Sequence, residues 1–441
     1  MNENSIVIIG GGAGGLELAV GLAKRYRKNS HQIVLVDKEK VHLWKPHLHE
    51  IASGTLDSHY EQVDYLSLAN KYSFRFVWGE LGSVNRHDKK ITLKEKHNKK
   101  GELIIPEREI AYEKLIIGIG STSNDFGTPG VREFAFSLDN LCSANTFQKT
   151  LLEKIIQKEH CHGDENFVIT IVGGGATGVE LAAELNETTR KLSAFGLDKL
   201  KNRPLKLNVV NAAPQLLPGL SQKISDGAKD ILESFDVSIL NNSKVVAIKQ
   251  GEVVIEKDGG NQSLMSDMIV WAAGVKSDNL LAGLDGLEVT RSNQLVVNDL
   301  LQTTLDEHIF AIGDCCAVKW VKAPKEGMMV PPRAQAAHQM SEYLIANFND
   351  IIDGKIKAES GKGFVYRDLG SLVSLGENDT VGTLMGFLQG KSLFVEGKIA
   401  KFMYLWLYHS HQIKINGWIA AMGLLMGKHI QKRFRPKVKL H

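Results

Sequence analysis

Short apolar runs alternate with longer stretches of helical period along most of this chain, the pattern of βαβ units around a parallel sheet. Residues 5–37 open with Ile6-Val7-Ile8-Ile9, pass a glycine turn, enter a helical stretch from Leu16 and end in a second run, Gln32 to Val36. Residues 166–211 repeat that plan, with Val168-Ile169-Thr170-Ile171-Val172, a glycine turn, Val179-Glu180-Leu181 opening a helix, and a matching strand from Leu207 to Val210. Residues 74–117 alternate apolar and polar positions in short runs, which predicts an antiparallel meander, and Lys114 to Gly120 reads as a buried strand. Helical spacing covers 140–160. Residues 244–274 predict a second meander and a strand, Met268 to Trp271, ending in Ala272-Ala273-Gly274. His308 to Ile312 is a further strand, ending in Gly313-Asp314, and from about residue 380 the pattern changes to amphipathic helices.

The two glycine turns carry the same spacing. Gly10-x-Gly12-x-x-Gly15 and Gly173-x-Gly175-x-x-Gly178 each sit between a strand and a helix. Glycines there allow a tight turn, let the backbone approach a pyrophosphate, and place that anion on a helix N-terminus. Two such units in order predict two bound nucleotides, most simply a flavin dinucleotide and a nicotinamide dinucleotide. The expected fold class is α/β, with two Rossmann-like dinucleotide-binding domains, the second inserted in the first, plus a C-terminal amphipathic-helix membrane-binding segment. The expected boundaries are 1–125 and 285–380 for the FAD-binding domain, 126–284 for the NAD(H)-binding domain, and 381–441 for the C-terminal region.

With 441 residues, 43% hydrophobic and 23% charged, the chain has room for two or three cores and is not of disordered composition. Its cysteines, Cys142, Cys161, Cys315 and Cys316, form no C-x-x-C, and adjacent Cys315 and Cys316 are poorly placed to bridge one another. Reduced thiols in a cytosolic setting are therefore expected. The first apolar run serves as the fingerprint strand, so no signal peptide is expected before it. No run reaches the ~20 apolar residues of a spanning helix. The formal net charge of +3 hides an asymmetry. Lys398, Lys401, Lys414, Lys428, Lys432, Arg433, Arg435, Lys437 and Lys439 follow the last acidic residue, Glu396, and leave the rest of the chain at −6. Such an end suits anionic lipid, nucleic acid or an acidic protein.

Asp37 ends the second strand 22 residues after Gly15, where a carboxylate can accept hydrogen bonds from ribose hydroxyls. The corresponding strand of the second unit ends in Asn211. An amide bonds a hydroxyl but does not repel a 2′-phosphate, and no Arg or Lys follows nearby to attract one. NADH is thus expected to remain preferred over NADPH, by a smaller margin than a glutamate at 211 would give. Ile309-Phe310-Ala311-Ile312-Gly313-Asp314 ends a strand in Gly-Asp, which can aim Asp314 at the ribityl chain of a flavin.

At this point the chain resembles the type II NADH:quinone oxidoreductases. The resemblance rests on Gly10-Gly11-Gly12-Ala13-Gly14-Gly15, His42-Leu43-Trp44-Lys45-Pro46, Gly173-Gly174-Gly175-Ala176-Thr177-Gly178-Val179-Glu180, Ala311-Ile312-Gly313-Asp314 and Pro331-Pro332-Arg333-Ala334-Gln335-Ala336-Ala337-His338-Gln339. It covers nearly the whole chain and implies non-covalent FAD, NADH, a membrane quinone, a single subunit on the membrane face and no proton pumping. The implied FAD contacts are Gly10, Gly12, Ala13, Gly14, Gly15 and Asp37, with Lys38, Lys45, Val84, Gly120, Asp314, Ala334 and Gln335. The implied NADH contacts are Gly173, Gly175, Thr177, Gly178, Glu180, Asn211, Ala273 and Gly274. Gln335 and Gln339 match quinone-pocket glutamines, and residues four apart share a helix face, so both amides can reach one carbonyl oxygen. Glu180 is implied in nicotinamide placement or proton handling, with Lys401 as its expected basic partner. Lys45 is expected near the flavin ring, where a cation stabilises negative charge. His42, His47 and His49 include an H-x-H pair but no evident third ligand, so no metal is expected.

The C-terminal segment holds Phe402-Met403-Tyr404-Leu405-Trp406-Leu407-Tyr408 and a stripe of Ile415, Trp418, Ile419, Met422, Leu425 and Met426. Aromatics, a basic tail and no acids describe a helix lying among lipid headgroups, with ~1 kcal/mol for each basic group close to an anionic leaflet. Burial in a homodimer interface is the alternative for that face. The expected activity is oxidation of NADH and two-electron reduction of a quinone, peripheral to the cytoplasmic face of the cell membrane, with no nucleic-acid partner. A flavin disulfide reductase would need a redox cysteine pair of C-x-x-C or C-x4-C spacing, which the chain lacks, and a sulfide:quinone reductase would need spaced cysteines, typically including one in the C-terminal third; none follows Cys316, and Cys161 alone is insufficient. A non-catalytic NAD(H) sensor would not need the quinone motif.

Overall fold

The computed structural model describes residues 5–26, 32–160, 166–192, 197, 205–375, 380–384, 393–396 and 398–434, with side chains beyond 375 described at 406, 408–427 and 430. Strand β1 (Ser5–Ile9) is wholly buried, and leads through the glycine turn into helix α1 (Ala13–Tyr26) and strand β2 (Gln32–Asp37). β1 lies inside a six-stranded sheet, parallel to β2 on one side and to Lys114–Ile117 on the other. Strands covered on both faces read as unbroken apolar runs, which is why these were legible. Asp306–Ala311 continues the sheet in parallel, and Gln302–Thr303 closes that edge antiparallel. Arg75–Trp78 closes the other edge, parallel to β2. It was expected in the meander; helix Tyr65–Tyr72 supplies the crossover that a parallel strand needs. The meander is thereby three strands, Leu81–Asn85, Lys90–Leu93 and Arg108–Ala111.

The second unit repeats the first. Strand β3 (Val168–Val172), helix α2 (Ala176–Leu192) and strand β4 (Lys206–Val210) belong to a sheet ordered Phe136–Ser137, Met268–Trp271, β3, β4, Ser238–Leu240, all parallel. Its meander is Lys244–Lys249, Glu252–Lys257 and Gly260–Met265. Thr122–Ser123 and Val275–Lys276 pair antiparallel where the chain enters this unit and leaves it. Helix α3 (Ala334–Ile352) then lies against α1, and Ser341 donates its hydroxyl to Gly14 O at 2.8 Å.

The helices expected from about 380 begin only at Lys398. Before them, strand β5 (Gly370–Ser374), Thr380–Leu384 and Leu393–Glu396 form an antiparallel meander. The β-branched and apolar residues of these short runs favour strand over helix. Helix α4 (Lys398–Asn416) and helix α5 (Trp418–Phe434) follow, divided at Gly417, which adopts φ +83°. That division splits the expected apolar stripe. Ile415 is fully buried in the first core, whereas Trp418 and Ile419 are 67% and 82% exposed. Leu424 and Ile430 join the exposed face, and Leu425 is half-buried. α4 is thus part of the folded body, with Tyr408, His411 and Gln412 also buried. Among the described residues, no helix is long and apolar enough to cross a membrane. Cys161 and the basic side chains from Lys398 onward, Lys414 excepted, lie outside the described residues.

Ile415→Ala should lower stability by about 2–5 kcal/mol, because it opens a cavity in the first core. Denaturant titration of the full chain measures this, and a change below about 1 kcal/mol would mean that α4 is not seated as described.

Candidate functional site

The first glycine turn is closed on every side but one. Gly10 has φ +99°, and a Cβ there would stand 2.2 Å from Gly118 O, so both space and backbone conformation demand glycine. The peptide beyond it is fixed by three side chains. Gly11 donates its N–H to Asp37 Oδ2 at 2.5 Å, and its carbonyl accepts from His42 Nδ1 at 2.8 Å and from the Tyr65 hydroxyl at 2.7 Å. Gly12 faces open space, with nothing within 4 Å of an added Cβ, and the first turn of α1 holds no acidic side chain. Free amides and the positive end of the helix therefore form a cradle that fits a pyrophosphate. Burial pushes the Asp37 carboxyl up, against the opposing N–H groups of Glu39 and Gly11. Lys38 is exposed beside it, and Val84 is buried in strand Leu81–Asn85.

Residues far apart in sequence meet beyond this cradle. Ser121 donates its hydroxyl to Asp314 Oδ2 at 2.7 Å, and Lys45 Nζ donates to Ser121 O at 3.2 Å. A Cβ on Gly120 would lie 3.6 Å from Lys45 Nζ. The structure thus gathers Lys45, Gly120 and Asp314, and Ala334 opens the neighbouring helix α3. Ser121 is a site residue that the sequence did not point out. Cys315 is buried with its Sγ near the carbonyl oxygens of Ile312 and Ile117, at 3.3 and 3.5 Å. Burial pushes its thiol up to about 11, and that of Cys316 well above its usual value, so neither is a ready redox nucleophile.

The second turn copies the first. Gly173 has φ +124°, and a Cβ there would meet the Ala272 carbonyl at 2.7 Å. Gly175 is open, Thr177 is exposed on the first turn of α2, and no acid lies in that turn. Ala273 and Gly274 follow the neighbouring strand Met268–Trp271. Asn211 is buried, and its NH2 faces Gln215 O at 2.8 Å, Asn241 Oδ1 at 2.9 Å and Ala213 O at 3.2 Å. In this arrangement the amide braces its own loop. A carboxylate at 211 would set its charge against those three acceptors.

Glu180 is buried near the start of α2. Its Oε1 accepts from Ser374 N at 3.2 Å, and its Oε2 lies 3.5 Å from His49 Nδ1. Burial pushes the carboxyl up to about 8, helped by Glu50 and Glu184 and opposed by the Ser374 N–H. Glu184, one turn on, accepts from Thr55 Oγ1 at 2.7 Å and is raised by burial to about 7. Burial and the neighbouring His47 hold His49 down to about 3, so His49 is neutral. Glu184 was missed, although its position four residues after Glu180 placed it on the same helix face. The side chain of Lys401 lies outside the described residues. Among the described residues, no three His, Cys, Asp or Glu side chains are grouped to hold a metal.

Gln335 and Gln339 do share one face of α3. Gln335 donates Nε2 to Gly370 O at 2.9 Å and accepts from Leu369 N at 3.1 Å. Gln339 donates Nε2 to Arg367 O at 2.8 Å and accepts from Arg367 N at 2.9 Å. Both amides hold the backbone of 367–370 as another strand would. That backbone continues as β5 to Ser374, and so to Glu180.

Residues 4–341 match the family described as pyridine nucleotide-disulphide oxidoreductase. The chain is 38% identical to the type II NADH:quinone oxidoreductase of Haemophilus influenzae, over 99% of this chain and 100% of that protein. It is 30% identical to the Staphylococcus aureus protein of the same name, over 87% and 90% of the two chains. The structure of NDH2 from Plasmodium falciparum in complex with NADH aligns with a TM-score of 0.82 at 20% identity, covering 99% of this chain and 100% of that one. The sulfide:quinone oxidoreductase of Aquifex aeolicus aligns with a TM-score of 0.72 at 19% identity, covering 95% and 92%. These two structures share the fold.

The buried acid has a consequence for pH. Between its ordinary value of 4.5 and about 8, folded Glu180 keeps a proton that the unfolded chain has lost. Its contribution to stability is complete below about 4.5 and disappears as pH rises through about 8. Glu180→Gln should flatten, without abolishing, the fall of melting temperature from pH 5 to 9, because Glu184 adds to that fall. Equal slopes in wild type and variant would contradict a protonated Glu180.

Proposed function

The chain belongs to the type II NADH:quinone oxidoreductases, and on that premise we propose that it passes two electrons from NADH, through non-covalent FAD, to a membrane quinone without pumping protons, feeding a respiratory chain. Bound FAD supplies the hydride acceptor at N5 and the two-electron reductant for quinone. The α1 cradle at Gly10, Gly12, Ala13, Gly14 and Gly15 holds its pyrophosphate. Asp37, flanked by Lys38, accepts from the ribose with the lone pairs left by Gly11 and Glu39. Asp314 takes the ribityl hydroxyls. Lys45, beside Gly120, offers positive charge near the ring. Gly173, Gly175, Thr177 and Gly178 hold the second pyrophosphate, with Ala273 and Gly274 at the neighbouring strand end.

One observation carries this reading. Gln335 and Gln339 of the quinone motif hold residues 367–370, and β5 runs from there to the N–H that Glu180 accepts. The nicotinamide unit and the quinone-motif helix therefore meet across a single strand. Glu180, protonated at neutral pH, holds a proton at that junction, and Lys401 is its proposed basic partner. A quinone entering beside 367–370 would contact the Gln335–Gln339 face of α3.

Trp418, Ile419, Met422, Leu424, Met426 and Ile430 give α5 an apolar outer face. With the basic residues that accompany it in the sequence, that face suits peripheral attachment to an anionic leaflet on the cytoplasmic side of the cell membrane. A homodimer contact is its other use.

Stopped-flow measurements separate the two half-reactions. Gln335→Leu and Gln339→Leu should slow flavin reoxidation by a soluble quinone about tenfold or more, and leave flavin reduction by NADH within about twofold; tenfold is about 1.4 kcal/mol on the barrier. Slowing confined to the NADH step would remove these residues from the quinone pocket.

A further inference from the structure

We infer that His411, on the C-terminal helix α4, is a positioning residue of the FAD site: it sets the Gly11 peptide through His42, and so makes FAD retention depend on the docking of α4. The inference rests on the FAD reading above and goes beyond its contact residues, none of which lies on this helix.

His411 Nδ1 is 2.6 Å from Glu17 Oε1, and His411 Nε2 is 2.9 Å from His42 Nε2. His42 Nδ1 is 2.8 Å from Gly11 O. Glu17, His42 and His411 are 3%, 2% and 1% exposed, so no water screens this chain of contacts. Its two ends fix the protons in between. Gly11 O can only accept, so His42 carries its proton on Nδ1 and presents a lone pair on Nε2. Burial and the facing His411 hold His42 down to about 3, so its ring is neutral. His411 must then donate from Nε2. Burial pushes the Glu17 carboxyl up, but hydrogen bonds from His338 and His411 outweigh it and hold it at about 2. Glu17 is thus an anion that only accepts, and His411 donates to it from Nδ1. His411 thereby clamps Glu17 of α1 to His42 beside the glycine turn.

The rest of the cluster supports that clamp. Lys414 Nζ lies 2.7 Å from His338 Nε2, and His338 Nδ1 is 2.6 Å from Glu17 Oε2. Lys414 also pairs with Glu342. Trp44 packs against the His411 ring at a 35° tilt, with centroids 4.6 Å apart. Losing the His411 donor would leave a buried lone pair on His42 and a buried carboxylate oxygen on Glu17 unpaired, which weakens the hold on Gly11. By linkage, FAD must stabilise the docked helix by the same factor as the docked helix stabilises FAD.

The test uses the full-length holoenzyme. His411→Phe keeps a ring against Trp44 and removes both of the residue's hydrogen bonds, to Glu17 and to His42. Tyr408→Phe is the control, since it removes another buried hydrogen bond of α4, to Glu61 at 2.7 Å, without touching the clamp. FAD release, followed by flavin fluorescence, should quicken about tenfold or more in His411→Phe and less than threefold in Tyr408→Phe. The 31P resonances of the bound FAD pyrophosphate should shift in His411→Phe and stay in place in Tyr408→Phe, which a merely structural role would not produce. Equal release rates and unmoved resonances would overturn the proposal. If His411→Phe fails to fold, hydrogen exchange of wild type decides: stripping FAD should deprotect residues 408–416, and unchanged protection overturns the coupling. Wild-type protein purified without any FAD would instead overturn the functional reading beneath it.

Discussion

The nucleotide chemistry of this protein depends on a single peptide that cannot turn. Gly11 is held at its N–H by Asp37 and at its carbonyl by His42 and Tyr65. With that plane fixed, the next amides face outward from the start of α1 and the glycine before them can press against Gly118. Each of the three holding groups comes from a different part of the first unit: the end of β2, the His42-Leu43-Trp44-Lys45-Pro46 segment, and helix Tyr65–Tyr72. A pyrophosphate bound there meets donors that are already aligned, so little ordering entropy is left to lose on binding. The same buried hydrogen bonds are costly to leave unmade, which keeps the surrounding segments in place.

The second organising feature is the strand that joins the two nucleotide units. Residues 367–369 lead into β5 and, among the described residues, pair with no strand; the side-chain amides of Gln335 and Gln339 hold the backbone of 367–370 in a strand's place. From there β5 reaches the second unit, where Ser374 meets Glu180. A buried carboxyl that keeps its proton at neutral pH destabilises the chain as pH rises. A displacement of 367–370 by a bound quinone would pass directly to the hydrogen bond at Glu180.

Much of this was legible in the sequence, for physical reasons. Parallel strands buried on both faces leave unbroken apolar runs, and a turn that must approach a phosphate leaves glycines at fixed spacing. Asp37 and Asp314 stood out as candidates because one ends such a strand and the other follows one closely. The orientation of a side chain at a strand end is another matter: periodicity located Asn211, yet its amide bonds back to Gln215 and Asn241 rather than facing out. Helical period could not tell that Gly417 breaks the C-terminal stripe, sending Ile415 inward and Trp418 outward. Nor could any local pattern bring His411 to Glu17, since 394 positions separate them and only the tertiary fold closes the gap.

The central claim is that one flavin site receives electrons from NADH and gives them to quinone. An anaerobic titration of the purified yellow protein tests it most directly. One equivalent of NADH per FAD should bleach the flavin absorbance, and one equivalent of a soluble quinone should restore it. Bleaching that no quinone reverses would contradict the account, and so would a flavin that NADH leaves oxidised.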